Sequence, residues 1–215
     1  MAIKNGDGAS GSLGSIIHYY RNGKFCMRAK PAHVRNPRTE GQTQHRNKIK
    51  QAGRLIRALK KFINIGYQDT DFDMPMNEIR KHLIQTCFDN TTEGTVLDYS
   101  RVLISRGELM KPEETTLTIE ADKAHILWKT PLKSQFSNDD DKVMIAVFVD
   151  EGDDGQSDLL SSVAFRRDGT CTIPVPAQTA PMHIWMFYYN PDLIYSESRK
   201  KISDSVYLSV PKILS

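Results

Sequence analysis

The chain has 215 residues, 39% of them apolar and 26% charged. That composition supports a packed core in one large domain or two small ones, and no apolar run approaches the roughly 18–20 residues needed to cross a bilayer. A net charge of +3 hides an asymmetry: residues 1–65 carry 14 Lys/Arg against two acids, Asp7 and Glu40, whereas the remainder carries 15 basic and 24 acidic residues. The first part, net +12, calls either for a polyanionic partner or for an acidic surface that it packs against.

Residues 1–15 are rich in Gly and Ser and read as a flexible arm. A strand at 15–20, the Asn22-Gly23 turn signal and a returning segment at 25–28 predict a β-hairpin with cations around its turn. Residues 30–38, with Pro31 and Pro37, are expected to be extended. Thr39 and Gln42 fit a capping box at the start of a long helix running to about residue 64 and stopped by Gly66. Its apolar positions Ile49, Ala52, Ile56, Leu59 and Ile63 keep helical spacing. A second helix is expected over 76–88, with Ile79, Leu83, Ile84 and Cys87 on one face. Residues 89–114 read as a connector with one strand at 101–105.

From residue 115 the pattern changes to short strands separated by Pro, Gly and Asp/Ser clusters. Strands are expected at 116–120, 124–130, 142–149, 160–167, 170–175, 182–189 and 204–210, with Asp168-Gly169 as a tight hairpin turn. Seven short strands in about 100 residues predict a β-sandwich with Trp128, Phe148, Trp185 and Phe187 in its core. The expected fold is therefore α+β: an N-terminal β-hairpin and two helices over 1–114, then a C-terminal antiparallel β-sandwich of fibronectin-III or Ig type over 115–215.

The strongest functional signal is a cationic row on the first helix. Arg46, Lys50, Arg54, Arg57 and Lys61 are spaced by 4, 4, 3 and 4 residues, which places them in a line roughly 22 Å long. Like charges four residues apart repel by a few tenths of a kcal/mol per pair. A row of five makes sense where an anion offsets it, and phosphates are the commonest such anion. The hairpin adds Arg21, Lys24 and Arg28 beside Tyr19, Tyr20 and Phe25, and aromatics among cations can stack on unpaired bases. These residues predict a binding protein rather than an enzyme, with nucleic acid or an acidic protein surface as partner.

The competing readings are a solvated helix face and a structural module of a phage particle or other assembly, a possible homo-oligomer whose arm and basic helix lock onto neighbouring subunits. A hydrolase with a sandwich-borne site is the weakest alternative. Gly6-Asp7-Gly8-Ala9-Ser10-Gly11 spells GxGxxG but lacks the preceding strand and following helix of a dinucleotide site, so no cofactor is expected. The acidic runs 138–141 and 150–155 lack the EF-hand spacing and read as solvated turns. Six histidines do not cluster, and His125 and His183, on predicted strands, read as neutral and hydrogen-bonded rather than as metal ligands. Cys26, Cys87 and Cys171 are widely spaced and predict reduced thiols in a cytoplasmic or virion-associated protein. The N-terminus has no apolar segment of the secretory kind.

Several of these residues carry a resemblance. Gly11-Ser12-Leu13-Gly14-Ser15, Asn22-Gly23-Lys24, Arg28-Ala29-Lys30-Pro31 and Asn36-Pro37-Arg38-Thr39 with Gln42 and Arg46 form its N-terminal part. Asp98-Tyr99-Ser100, Ser105-Arg106-Gly107, Trp128, Asp141-Lys142, Arg167-Asp168-Gly169 and Ser203-Asp204-Ser205-Val206-Tyr207 continue it. Over nearly its whole length the chain resembles an uncharacterised family of about two hundred residues frequent in Bacteroidetes genomes. The resemblance implies a bacterial or phage origin and this architecture, and it transfers no catalytic or binding residue.

Overall fold

A computed structural model describes residues 3–5, 8–21, 23–33, 38–67, 75–91, 94–120, 122–129, 136–150, 156–176, 180–192 and 201–209, with backbone alone at 3–5, 8–9, 75 and 156–163. The chain divides into two compact units, Met1–Thr39 and Glu40–Ser215. The composition change had placed the boundary near 114. It falls at 39/40 instead because the helices bury their apolar faces on a sheet of the C-terminal region.

The first unit is an antiparallel meander in the order β1 (Ile3–Asn5), β2 (Gly8–Leu13), β3 (Ile16–Arg21), β4 (Lys24–Ala29). The expected hairpin is the β3–β4 pair, closed by Arg21 opposite Lys24, while Asn22 of its turn lies outside the described residues. Residues 3–5 and 8–13, expected as a flexible arm, are strands. Glycine and serine contribute little packing, but ladder pairing still satisfies their backbone groups. Among the described side chains of this unit none is buried.

The second unit opens with α1 (Glu40–Ala58), α2 (Lys60–Gly66) and α3 (Pro75–Thr86). The single long helix read from the sequence is broken at Leu59, whose φ and ψ are −92° and 15°. Helical hydrogen bonds nevertheless bridge the break, from Leu59 N to Leu55 O and from Ile63 N to Leu59 O. Ala52, Leu55, Ile56, Leu59, Phe62 and Ile63 form one continuous buried stripe across it. Gly66 ends α2 without adopting a left-handed cap. Tyr67 is the cap residue, with φ −126°.

Two sheets follow. One has the order β10-β9-β12-β13, built from Gln156–Phe165, Lys142–Val149, Met182–Tyr189 and Val206–Leu208; the other has the order β11-β8-β7, built from Thr170–Pro174, Lys123–Lys129 and Glu113–Glu120. All pairings within them are antiparallel. The three-stranded sheet alternates buried and exposed residues, as a sheet with one wet face must. β9 and β12 do not alternate, because both their faces are covered.

Val143, Ile145, Val147, Ile184, Met186 and Tyr188 join Ala124, Ile126, Trp128 and Ile173 in the core between the sheets. Met144, Ala146, Phe148, Trp185 and Phe187 point the other way, into a second core with the helices. The fold is thus a helical layer, a central sheet and an outer sheet. Of the four aromatics assigned to a sandwich core, Trp128 alone lies there. Phe148, Trp185 and Phe187 seal the helices to the sheet, each such buried side chain being worth about 1.5–3 kcal/mol.

Two further expectations are corrected. Residues 101–105 are not a strand. A hairpin, β5 (Phe88–Thr91) with β6 (Gly94–Leu97), precedes them, and a 3-10 turn at Tyr99–Arg101 leads into an irregular stretch in which Val102, Ile104 and Ser105 are buried. Its local signal was masked by Asp89, Asn90 and Gly94, which are turn formers in isolation. Asp168-Gly169 is not a hairpin turn either. β10 pairs with β9 and β11 with β8, so this corner carries the chain between the sheets. A 3-10 turn at Arg166–Asp168 and Gly169 at φ 67° make the corner, a conformation glycine adopts without a Cβ clash.

Candidate polyanion interface

α1 places the cationic row beside its buried stripe. Arg46, Lys50 and Arg57 are exposed, as is Lys61 beyond the Leu59 break. Arg54 is different. It is half-buried, and its guanidinium donates to Asp150 Oδ1 at 2.7 Å across 96 residues of sequence. Part of the expected acidic docking is therefore internal to the second unit, since Asp150 sits at the end of β9. Asn47, Lys50, Gln51, Arg54 and Arg57, at helical spacing, line a hollow of about 250 Å³. Gln51 is held by donating its Nε2 to Thr95 O at 3.3 Å. Cations and amides together suit an anion with several oxygens.

Behind Arg54 lies a cluster that sequence reasoning missed. The Tyr99 hydroxyl donates to Asp150 Oδ2 at 2.7 Å, and its ring stacks on His183 with centroids 3.7 Å apart and planes 17° apart. His183 Nδ1 lies 3.0 Å from the Tyr207 hydroxyl, and Tyr207 meets Trp185 edge-on at 5.6 Å. The link thus runs from the mouth of the hollow to the helix-facing core. Burial holds the Tyr99 phenol well above its ordinary range, with the Asp150 carboxylate adding to the effect, so it stays a donor.

Burial also lowers the His183 pKa to about 4, only partly countered by Asp150. The unfolded chain then binds more protons than the folded one between about 4 and the ordinary value of 6.5, so stability is full above 6.5 and falls as pH drops toward 4. Unfolding measured across that window is expected to show this loss, and His183→Phe to flatten it. An unchanged slope in the variant would rule out His183 as its source.

The hairpin cations lie in the other unit, and the ladder register sorts them. Ile17 opposite Arg28, Tyr19 opposite Cys26 and Arg21 opposite Lys24 share one face; Ile16 opposite Ala29, His18 opposite Met27 and Tyr20 opposite Phe25 share the other. Of the three stacking candidates only Tyr19 accompanies the cations. Tyr20 and Phe25 touch each other on the reverse side, with centroids 5.4 Å apart.

The acidic run 138–141 is not a solvated turn throughout. Asp140 pairs with Arg167, and Asp141 is wholly buried against Arg166. Residues 151–155 of the other acidic run lie outside the described residues. Among the described residues, no group of three His, Cys, Asp or Glu side chains is arranged to hold a metal.

Several of the resemblance residues from 105 onward meet in two polar knots. In the first, the Trp128 indole donates to Arg166 O at 2.9 Å, and Asn190 donates to Asp141 at 2.7 Å. In the second, Ser205 Oγ accepts from Ile104 N at 2.9 Å, Ser105 Oγ donates to Ser203 O at 2.8 Å, and Asp204 accepts from Gly107 N at 3.1 Å. These residues hold distant segments together. The profile of a family of unknown function, DUF6266, matches residues 8–209. The chain belongs to that family. No curated protein matches it. Among solved structures, the fibronectin type III domain of human collagen alpha-1(XX) chain is similar at 15% identity and a TM-score of 0.34, covering 52% of this chain and 94% of that one. No helix among the described residues is long and apolar enough to cross a membrane.

Proposed function

We propose that this member of the DUF6266 family is a non-enzymatic binding protein whose basic surface engages a polyanion, nucleic-acid phosphates first among them. The observation that supports this most is the hollow on α1, lined by Lys50, Arg54 and Arg57 with two amides and flanked by exposed Arg46 and Lys61. Arg21, Lys24 and Arg28, with Tyr19, form a second basic face in the first unit. Contacts of this kind position a phosphate backbone without reading its sequence. The strand order β11-β8-β7 against β10-β9-β12-β13 supports a fibronectin-III-like reading of the sandwich, and three free cysteines favour a reducing setting, cytoplasmic or within a virion.

The test is binding of the full chain to labelled single- and double-stranded DNA and RNA at several salt concentrations. Log affinity is expected to fall steeply with log salt. Arg57→Glu with Lys61→Glu is expected to weaken binding on the order of tenfold and to reduce the salt slope by about two. Absence of binding at low salt, or an unchanged slope in the double variant, would overturn the proposal. A second reading, a structural module of a phage particle or other assembly, is favoured by the first unit, whose described side chains include no buried residue.

A further inference from the structure

The first unit is amphipathic in a way that its charges conceal. Its cation-bearing face holds Arg21, Lys24 and Arg28. The reverse face gathers Leu13, Ile16, His18, Tyr20, Phe25, Met27 and Ala29 and has no Lys, Arg, Asp or Glu among them. Leu13, Ile16, Tyr20, Phe25 and Met27 are between 42% and 65% exposed. Phe25 anchors the patch, meeting His18 and Tyr20 edge-on at 5.5 and 5.4 Å. A small sheet needs an apolar face that is covered to be stable in water. Exposed apolar clusters of this size mark interaction sites.

We infer that this face docks on the same face of a second copy of the chain, so that two meanders stack as a two-fold sheet pair. Area and charge both favour that occupant. The exposed parts of the five apolar side chains amount to roughly 500 Å² per copy, hence about 1,000 Å² in a symmetric pair, the lower limit of a specific interface. The described side chains of this patch carry no formal charge, so within it a two-fold axis sets no like charges against each other. Stacked sheets with aligned strands interdigitate side chains in this manner. The arrangement also turns Arg21, Lys24 and Arg28 of both copies outward on opposite sides of the pair.

The experiment is sedimentation equilibrium of the full chain over a range of concentrations. The native chain is expected to be dimeric at micromolar concentration. Phe25→Lys with Met27→Glu is expected to raise the dissociation constant on the order of thirtyfold or more. Arg21→Glu with Lys24→Glu, on the reverse face, is expected to leave the dimer intact. Met27→Leu, which keeps the face apolar, is expected to leave it intact too, separating loss of the contact from loss of folding. A native chain that is monomeric throughout, or a dimer indifferent to charges at 25 and 27 but broken by those at 21 and 24, would overturn the inference.

Discussion

Replacing Asp141 by alanine is expected to lower the unfolding free energy of the second unit by about 3–5 kcal/mol. Asp141 is 0% and Arg166 1% exposed, and their ion pair closes at 2.9 Å. Asp141 also accepts from Asn138 N at 3.0 Å and Asn190 Nδ2 at 2.7 Å. Arg166 donates to Met110 O at 2.9 Å and lies over the Tyr188 ring at 3.7 Å. Burying two charges is costly, and their attraction roughly offsets that cost only while both are present. Alanine removes the carboxylate that balances a buried positive charge and leaves the guanidinium's desolvation in place. The loss compares with the 5–15 kcal/mol that domains typically have in total. Denaturant unfolding followed by the fluorescence of Trp128, whose indole donates to Arg166 O, measures it. Asp141→Leu combined with Arg166→Met is expected to recover much of the loss, because it removes the unbalanced charge as well as the pair. A single-variant cost below about 1 kcal/mol would show the pair to be ornamental.

The strands that build this core were legible because their signals are local. Residues 143–149 are an unbroken apolar run and 182–189 are apolar but for His183; turn formers bound both, and the strands are Lys142–Val149 and Met182–Tyr189. The same runs held the clue to the helical layer. A strand in a two-layer sandwich alternates, as Lys123–Lys129 does, whereas Val143 to Val149 is buried at every position and must be covered on both sides. Read as one sandwich core, Phe148, Trp185 and Phe187 were assigned to the wrong face. Asp168-Gly169 shows the reverse limit: a tight corner looks the same locally whether the next strand rejoins its own sheet or the opposite one. The cationic row was legible from helical period, but the Arg54–Asp150 pair joins residues 96 apart and only the fold brings them together. The division of the hairpin into a cationic and an apolar face, by contrast, follows from the period of two in the sequence itself.

Replacing Gly66 by alanine is expected to destabilise the second unit by about 2–4 kcal/mol, although alanine is the better helix former by about 1 kcal/mol. The reason is a backbone passing against the last turn of α2. A Cβ at position 66 would overlap the Ile104 carbonyl oxygen and stand 2.6 Å from Ser105 Cβ and 2.7 Å from Ser105 Cα. That strand of chain has little room to yield. Ile104 N is held by Ser205 Oγ, Ser105 Oγ by Ser203 O, Leu103 O by the Tyr67 hydroxyl at 2.7 Å, and Gly66 O accepts from Arg106 N at 3.0 Å. Relief of the overlap must either strain α2 or break this knot, and the knot ties the helical layer to the Ser203–Ser205 segment beside the central sheet. Gly53→Ala supplies the contrast. Nothing lies within 4 Å of its Cβ, so helix propensity alone decides and a gain of about 0.5–1 kcal/mol is expected. Opposite signs at two helical glycines would place the requirement at position 66 in the approach of residues 104–105. A neutral or stabilising Gly66→Ala would instead mean that the α2 contact yields freely and that the Ser105–Ser203–Ser205 knot does not fix it.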